Sequence, residues 1–233
     1  MEPESPYAYC ARPCQWAAGV SRYGRPYTQT GVRLAVGRSQ DKPGRSGVYR
    51  LLGRLWLREV DAPLLEQLSD GVLGEAFVAA GGVSPSLVTG ETVESLAVDY
   101  CQLFLGPSGH FPPYQSVWEA GQFEGEAANS VREFAEVVGY DPAEVLPGGM
   151  VDHLGVQLDL MGHLLSGGVD AEDSADAEDN IIDEVSDAFY SAHLTWPDTL
   201  LSATRERAKT AFYRSMLTLT GEFLDTEAPA GRP

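Results

Sequence analysis

From Val48 onward the apolar side chains recur at three- and four-residue spacing and nowhere settle into alternation. Leu51, Leu52, Leu55 and Trp56 give a first amphipathic face, and Asp61 with Pro63 opens a second helix that closes near Asp70-Gly71. Ser84-Pro85 offers another N-cap. Val93, Leu96, Ala97, Tyr100 and Phe104 line a helix that runs into Gly106-Pro107. A further helix is expected from Phe123 to Val138, with a start signal at Asp141-Pro142-Ala143-Glu144. Val151, Leu154, Leu158, Met161 and Leu165 predict a central helix stopped by Gly167-Gly168. Ile181, Val185, Ala188 or Phe189, and Ala192 resume the period; Pro197 interrupts it and Asp198 can cap the next helix. Leu201, Ala208, Phe212, Leu219 and Phe223 supply the last apolar face. No Asn-Gly or Asp-Gly turn joins two strand-like runs. The pattern predicts an all-α domain.

A chain of 233 residues suffices for one good-sized domain. No apolar run has the length of a membrane-spanning helix, and no signal-peptide core stands at the N-terminus, so a soluble cytoplasmic protein is expected. Cys10, Cys14 and Cys101 make no disulfide framework, and Cys101, inside an apolar helical pattern, reads as a small core residue. The net charge is -18, from 34 acidic against 16 basic residues, and only Lys42 and Lys209 are lysines. Such a balance argues against nucleic-acid binding, which depends on neutralising phosphates. It fits a solvated acidic surface, or adaptation to a salty cytoplasm where a Debye length of about 3 Å screens self-repulsion.

Residues 1–47 differ from the rest. They carry a net charge of +4, leaving -22 on the remainder, and are rich in Gly, Pro, Ser and Tyr without any period. They read as an irregular tail, with two alternatives: a basic arm that docks on an acidic surface, or a gene-start artefact with the true start at Val48. The helical domain is expected over residues 48–225, followed by a disordered tail at 226–233. Nine acidic residues crowd positions 170–187, and the first half of that run is expected to be a solvated loop.

Signs of catalysis are few. No phosphate-cradling loop with Lys and no Gly-x-Ser-x-Gly elbow is present. His153 and His163 lie too far apart for a helical zinc pair, and Asp159 with His163 lacks a third ligand at useful spacing. No metal, cofactor or catalytic residue is therefore expected. A small α-helical metal- or nucleotide-dependent enzyme stands as the alternative to a binding protein.

Tyr100-x-x-Leu103-Phe104 leads into Gly106-Pro107, and Pro112-Pro113-Tyr114-Gln115-Ser116 comes next. Asp152-His153 then opens the central helix; His193-Leu194, Trp196-Pro197 and Ala211-Phe212-Tyr213 come near the end. In this order and spacing, residues 48 to 224 resemble the TorD/DmsD/NarJ family, cytoplasmic chaperones that mature molybdenum-containing redox enzymes. The resemblance implies a single bundle of about ten helices and no enzymatic activity, as a monomer or homodimer. Its implied partners are the catalytic subunit of a molybdopterin oxidoreductase and that subunit's twin-arginine leader. It also implies a hinge at Trp196-Pro197, although this chain has one residue fewer between Leu194 and Trp196 than the family pattern. A helical interaction module unrelated to redox enzymes is the remaining alternative.

Two readings of the motif residues stand. By position alone, Asp152 is a helix-start carboxylate favoured by the macrodipole, with His153 a first-turn side chain. The resemblance instead implies that Asp152 and His153 bind the client's leader, the carboxylate pairing with an arginine. Phe111, Tyr114 and Trp118, with Ser116, either tuck into the core or line an apolar groove beside that pair. Tyr100 matches a family position, and its helix-face spacing favours core packing.

Overall fold

The described residues of the computed structural model are 41–79, 81–84, 90–167 and 175–229. Among them are ten α-helices and no β-strand, as the apolar spacing predicts. The helices are α1 (Lys42–Leu57), α2 (Ala62–Ser69), α3 (Val72–Ala79), α4 (Val93–Tyr100) and α5 (Gln115–Ala120). Next come α6 (Glu126–Val137), α7 (Leu154–Leu165), α8 (Ala175–His193), α9 (Asp198–Arg207) and α10 (Ala211–Glu227).

Helix α7 is apolar on nearly every face, the signature of a helix enclosed on all sides. Leu154, Val156, Leu158, Leu160, Met161 and Leu164 are all buried. Helix α1 crosses it antiparallel and very close. Ser46 Oγ donates to Gly162 O at 2.7 Å, and a Cβ on Gly53 would stand only 3.0 Å from Gly155 O. Only glycine at both Gly53 and Gly155 permits that approach. Helix α10 closes the bundle against α1, where Trp56 Nε1 donates to Thr220 Oγ1 at 3.1 Å and Tyr49 meets Phe223 edge to face at 4.7 Å. Two carboxylates hold the N-terminal end of α10. Asp99 accepts from Lys209 N and Thr210 N, and Glu91 accepts from Ala211 N and Phe212 N.

Several boundaries differ from the sequence reading. Asp41 accepts the Gly44 N–H at 3.2 Å and Pro43 stands in the first turn, so α1 begins at Lys42, not Val48. Its first turns are tied down by the buried ion pair of Arg45 Nη2 with Glu227 Oε2 at 2.6 Å. That pair also carries α10 past the expected end of the domain. Helix α3 carries no start or stop signal of its own in the sequence, and α5 begins within the Pro112-Pro113-Tyr114-Gln115-Ser116 motif. The Asp141 signature yields only a short 3-10 turn over Pro142–Glu144. Asp198 lies in the first turn of α9, with Pro197 at the cap position. Cys101 is exposed, because a π-helical stretch over Cys101–Leu105 widens the helix end and turns it outward while Leu103 and Phe104 stay buried. Asp159 and His163 do not pair with each other. Asp159 Oδ2 accepts from Tyr140 Oη at 2.8 Å, and His163 Nε2 donates to Val138 O at 3.1 Å. Residues 1–40, the Pro85 signal, residues 168–174 and residues 230–233 lie outside the described residues.

Candidate functional site

Gly106, Pro107, Gly109, Pro112 and Pro113 keep the chain non-helical as far as Tyr114, where α5 starts. The start of α5 and the start of α7 are stitched together by an isolated antiparallel bridge between Tyr114 and His153. Leu154 N donates to Pro113 O at 2.8 Å, and Gln115 N donates to Asp152 O at 3.1 Å. Two segments that sequence reading could only place side by side are thereby in direct contact.

Asp152 is fully buried. Its Oδ2 accepts the Ser116 N–H at 2.9 Å, so the carboxylate serves the first turn of α5, not of its own helix. Its Oδ1 is buried without a hydrogen-bond partner, as is Ser116 Oγ. An unpaired carboxylate oxygen in the interior is costly to the fold. The side-chain cap of α7 is His153, whose Nδ1 accepts the Gly155 N–H at 2.9 Å. This corrects the positional reading of Asp152 as the helix-start group. Burial drives the His153 pKa down to about 3, so the ring is neutral, and with Nδ1 accepting, its proton sits on Nε2.

Tyr114 covers this pair. It is half-buried, and its ring meets His153 edge-on at 5.0 Å and Phe123 at 5.6 Å. Burial, and then the nearby Asp152 charge, raises its hydroxyl pKa. Phe123 is 41% exposed and completes an aromatic edge at the surface. The other motif residues go elsewhere. Phe111 and Trp118 stack on each other at 6.4 Å, Trp118 Nε1 donates to Pro112 O, and the Arg207 guanidinium sits over Phe111. Tyr100 is in the core, 3% exposed, with its hydroxyl donating to Trp56 O at 3.0 Å.

Behind Asp152 lies a polar network that sequence reasoning missed. Gln115 Nε2 donates to Ala192 O at 2.9 Å and to Glu119 Oε2 at 3.1 Å, which fixes the orientation of its amide. Gln115 Oε1 then accepts from Gln157 Nε2 at 2.7 Å and from His193 Nδ1 at 2.9 Å. His193 Nε2 accepts from Ser130 Oγ at 3.0 Å, and Gln157 Oε1 accepts from Trp196 Nε1 at 3.0 Å. Burial lowers the His193 pKa to about 4, against the opposing pull of the Asp152 charge. One signal was available: Gln157 sits in a helix apolar all round, where a polar side chain must find partners. Trp196 is thus a buried plug anchored by its indole N–H at the α8–α9 break.

Among the described residues no cluster of His, Cys, Asp and Glu could hold a metal ion, and no helix is long and apolar enough to cross a membrane. Fold and site define an all-α protein with a buried carboxylate–imidazole junction beneath an aromatic edge. Residues 65–202 match the family model described as nitrate reductase delta subunit, and the chain belongs to that family. It is 26% identical over 194 residues to the chaperone protein TorD of Shewanella oneidensis, covering 76% of this chain and 85% of that one. It is 28% identical over 178 residues to the chaperone protein YcdY of Escherichia coli, covering 73% and 86%. A third relative, TorD of Aeromonas salmonicida, is 29% identical over 142 residues, 61% of this chain and 63% of its own length.

Proposed function

We propose that this protein is a cytoplasmic maturation chaperone for a redox enzyme and makes or breaks no bond itself. Its client is the catalytic subunit of a molybdopterin oxidoreductase, bound through a twin-arginine leader and held while cofactor is inserted. Relatives named as chaperones along most of their length support the class. The observation that carries the site is the unpartnered Oδ1 of Asp152, a buried acceptor beside a neutral imidazole whose Nδ1 is taken by the Gly155 N–H. A leader arginine supplies the donors that Oδ1 lacks, through a charge-assisted hydrogen bond. Because Asp152 is fully covered in the free chain, the edge formed by Tyr114 and Phe123 moves aside when the arginine enters.

Affinity capture from native extract at molar potassium chloride, with identification of the retained proteins, tests the class. Recovery of a molybdopterin oxidoreductase subunit that still carries its leader is expected. Retention of other proteins alone would sink the reading.

A further inference from the structure

The outer face of α4 and of the π-helical stretch that extends it is apolar. Val98, Cys101 and Leu105 follow one another at helical spacing and all stand exposed, Val98 by 55% and Leu105 by 61%. Apolar side chains scattered singly over a surface are ordinary, but these three stand in line over two turns, a stripe about 10 Å long at about 1.5 Å per residue. π-Helical turns are rare and occur mostly at functional sites. Here the turn keeps Leu103 and Phe104 in the core while Cys101 and Leu105 face outward.

Three cations border the stripe. Lys209 Nζ donates at 2.6 Å to Gln102 Oε1, next to Cys101, and Arg214 Nη1 donates to Ala208 O and Lys209 O at 2.9 Å. Arg207 lies over the Phe111 ring and donates to Gly109 O at 3.3 Å, where the loop after Leu105 folds back. Every one of these partners is neutral, whereas Lys42, Arg45 and Arg54 meet the carboxylates of Asp183, Glu227 and Asp61. Residues 48–233 carry a charge of -22, so three neighbouring cations without carboxylate partners are a local reversal of sign.

We propose that this surface docks an acidic amphipathic helix of another protein. Its apolar side chains lie on Val98, Cys101 and Leu105, and its carboxylates meet Lys209, Arg207 and Arg214. The inference does not depend on what binds at Asp152. A stripe with helical spacing accepts a second helix along its length, through side chains that repeat at the same three- and four-residue intervals. Charge selects the partner. Acidic segments are repelled by most of this chain, so the cations steer such a helix to the stripe and fix its register. Glu94, exposed one turn before Val98, leaves the other end of the stripe acidic. The partner's carboxylates are therefore grouped toward the Leu105 end.

Cys101 supplies the readout. In the full chain carrying Cys10→Ser and Cys14→Ser it is the one remaining thiol, and its alkylation by iodoacetamide reports whether the stripe is covered. The probes are two synthetic helical peptides with leucines at three- and four-residue spacing, one with glutamates along the flank and one with lysines there instead. The glutamate peptide should slow alkylation of Cys101 and the lysine peptide should not. Lys209→Glu should weaken the glutamate peptide about three- to tenfold, the range expected when a surface attraction becomes a repulsion. Val98→Asp should weaken it about tenfold or more, since it places a charge where an apolar side chain is buried. Both positions are exposed, so melting temperatures are expected to match the parent, and Lys209→Arg should bind as the parent does. Unchanged alkylation with the glutamate peptide, or equal protection by both peptides, overturns the assignment. Protection by phosphatidylserine vesicles in place of the peptide would assign the surface to a membrane and overturn it as well.

Discussion

Gln115 Oε1 accepts the Nδ1–H of His193 at 2.9 Å, across a separation of 78 residues. The same oxygen takes the Gln157 amide, and the backbone of Gln115 carries Tyr114 and Ser116 on either side. The α8–α9 break and the aromatic edge over Asp152 are therefore braced by one side chain.

Replacing that side chain with an apolar one of similar size leaves His193 Nδ1–H and Gln157 Nε2–H buried without acceptors. Each unmade bond costs about 1–3 kcal/mol. Gln115→Leu should lose about 2–4 kcal/mol, a fall of roughly 5–15 °C in melting temperature. The double variant Gln115→Leu/Gln157→Leu should cost less than the sum of the singles, because the two groups share a network. Additive losses in denaturant titrations would show that the network does not act as a unit.

Asp152→Asn makes the opposite prediction for stability. The amide keeps an acceptor for the Ser116 N–H and removes a buried carboxylate oxygen that has no partner. Melting temperature should stay level or rise while leader binding falls, by about 2–5 kcal/mol if an arginine loses its buried counter-charge. Such a trade is expected where a site is kept strained for binding. A clear drop in melting temperature with binding intact would make Asp152 a purely structural support of α5.

The histidines give a pH dependence. Both titrate near 6.5 when unfolded, but only at about 3 for His153 and about 4 for His193 when folded. Between those values the unfolded chain binds protons that the folded one refuses, so stability rises with pH in this window. The contribution is complete above about pH 6.5 and is lost progressively as pH falls toward about 4. The slope should approach about 1.4 kcal/mol per pH unit for each ring. Urea midpoints measured from about pH 7.5 to about pH 4.5 would trace this slope; a flat profile would mean that the rings accept protons in the folded state.

The N-terminal boundary is testable by truncation. Removing residues 1–40 leaves the α1 cap and its ion pairs intact and should not change the melting temperature. Removing residues 1–47 also deletes Arg45 and Ser46, stranding Glu227 in a largely buried position. Breaking one side of a buried pair costs about 3–5 kcal/mol. Equal melting temperatures for the two truncations would place the structural boundary at Val48 after all.

A charge of -22 on residues 48–233 should make the fold sensitive to salt. Scattering and circular dichroism across a potassium chloride series should show compaction as ionic strength rises toward molar levels. Full compactness in dilute buffer would remove the adaptation to high salt.

Much of the architecture is legible because an amphipathic helix announces itself by spacing alone. Leu52, Leu55, Leu158 and Phe212 all lie in the core that their periods predict. The motifs also mark Tyr114, Asp152 and His153, which the fold brings into contact. The features that escape the sequence depend on pairings between distant residues. Nothing local marks Glu227 as the partner of Arg45 or Gln115 as the acceptor for His193, and both polar groups look like surface residues until their partners are placed. Cys101 departs from expectation for a related reason: a π-helical turn shifts the exposed face, and the apolar spacing around it is unchanged.

The bonds that seat α1 reach far along the chain. Ser46 meets Gly162, 116 residues later; Trp56 meets Thr220, 164 later; Arg45 meets Glu227, 182 later. During synthesis α1 emerges first and finds its partners only when α7 and then α10 have left the ribosome. Until α7 is made, the α1 face that packs on it stays uncovered, a state prone to aggregation. A protein proposed to guard another chain against premature assembly thus seats α1 fully only once α10 has been made, and depends until then on whatever shields nascent chains in its cell.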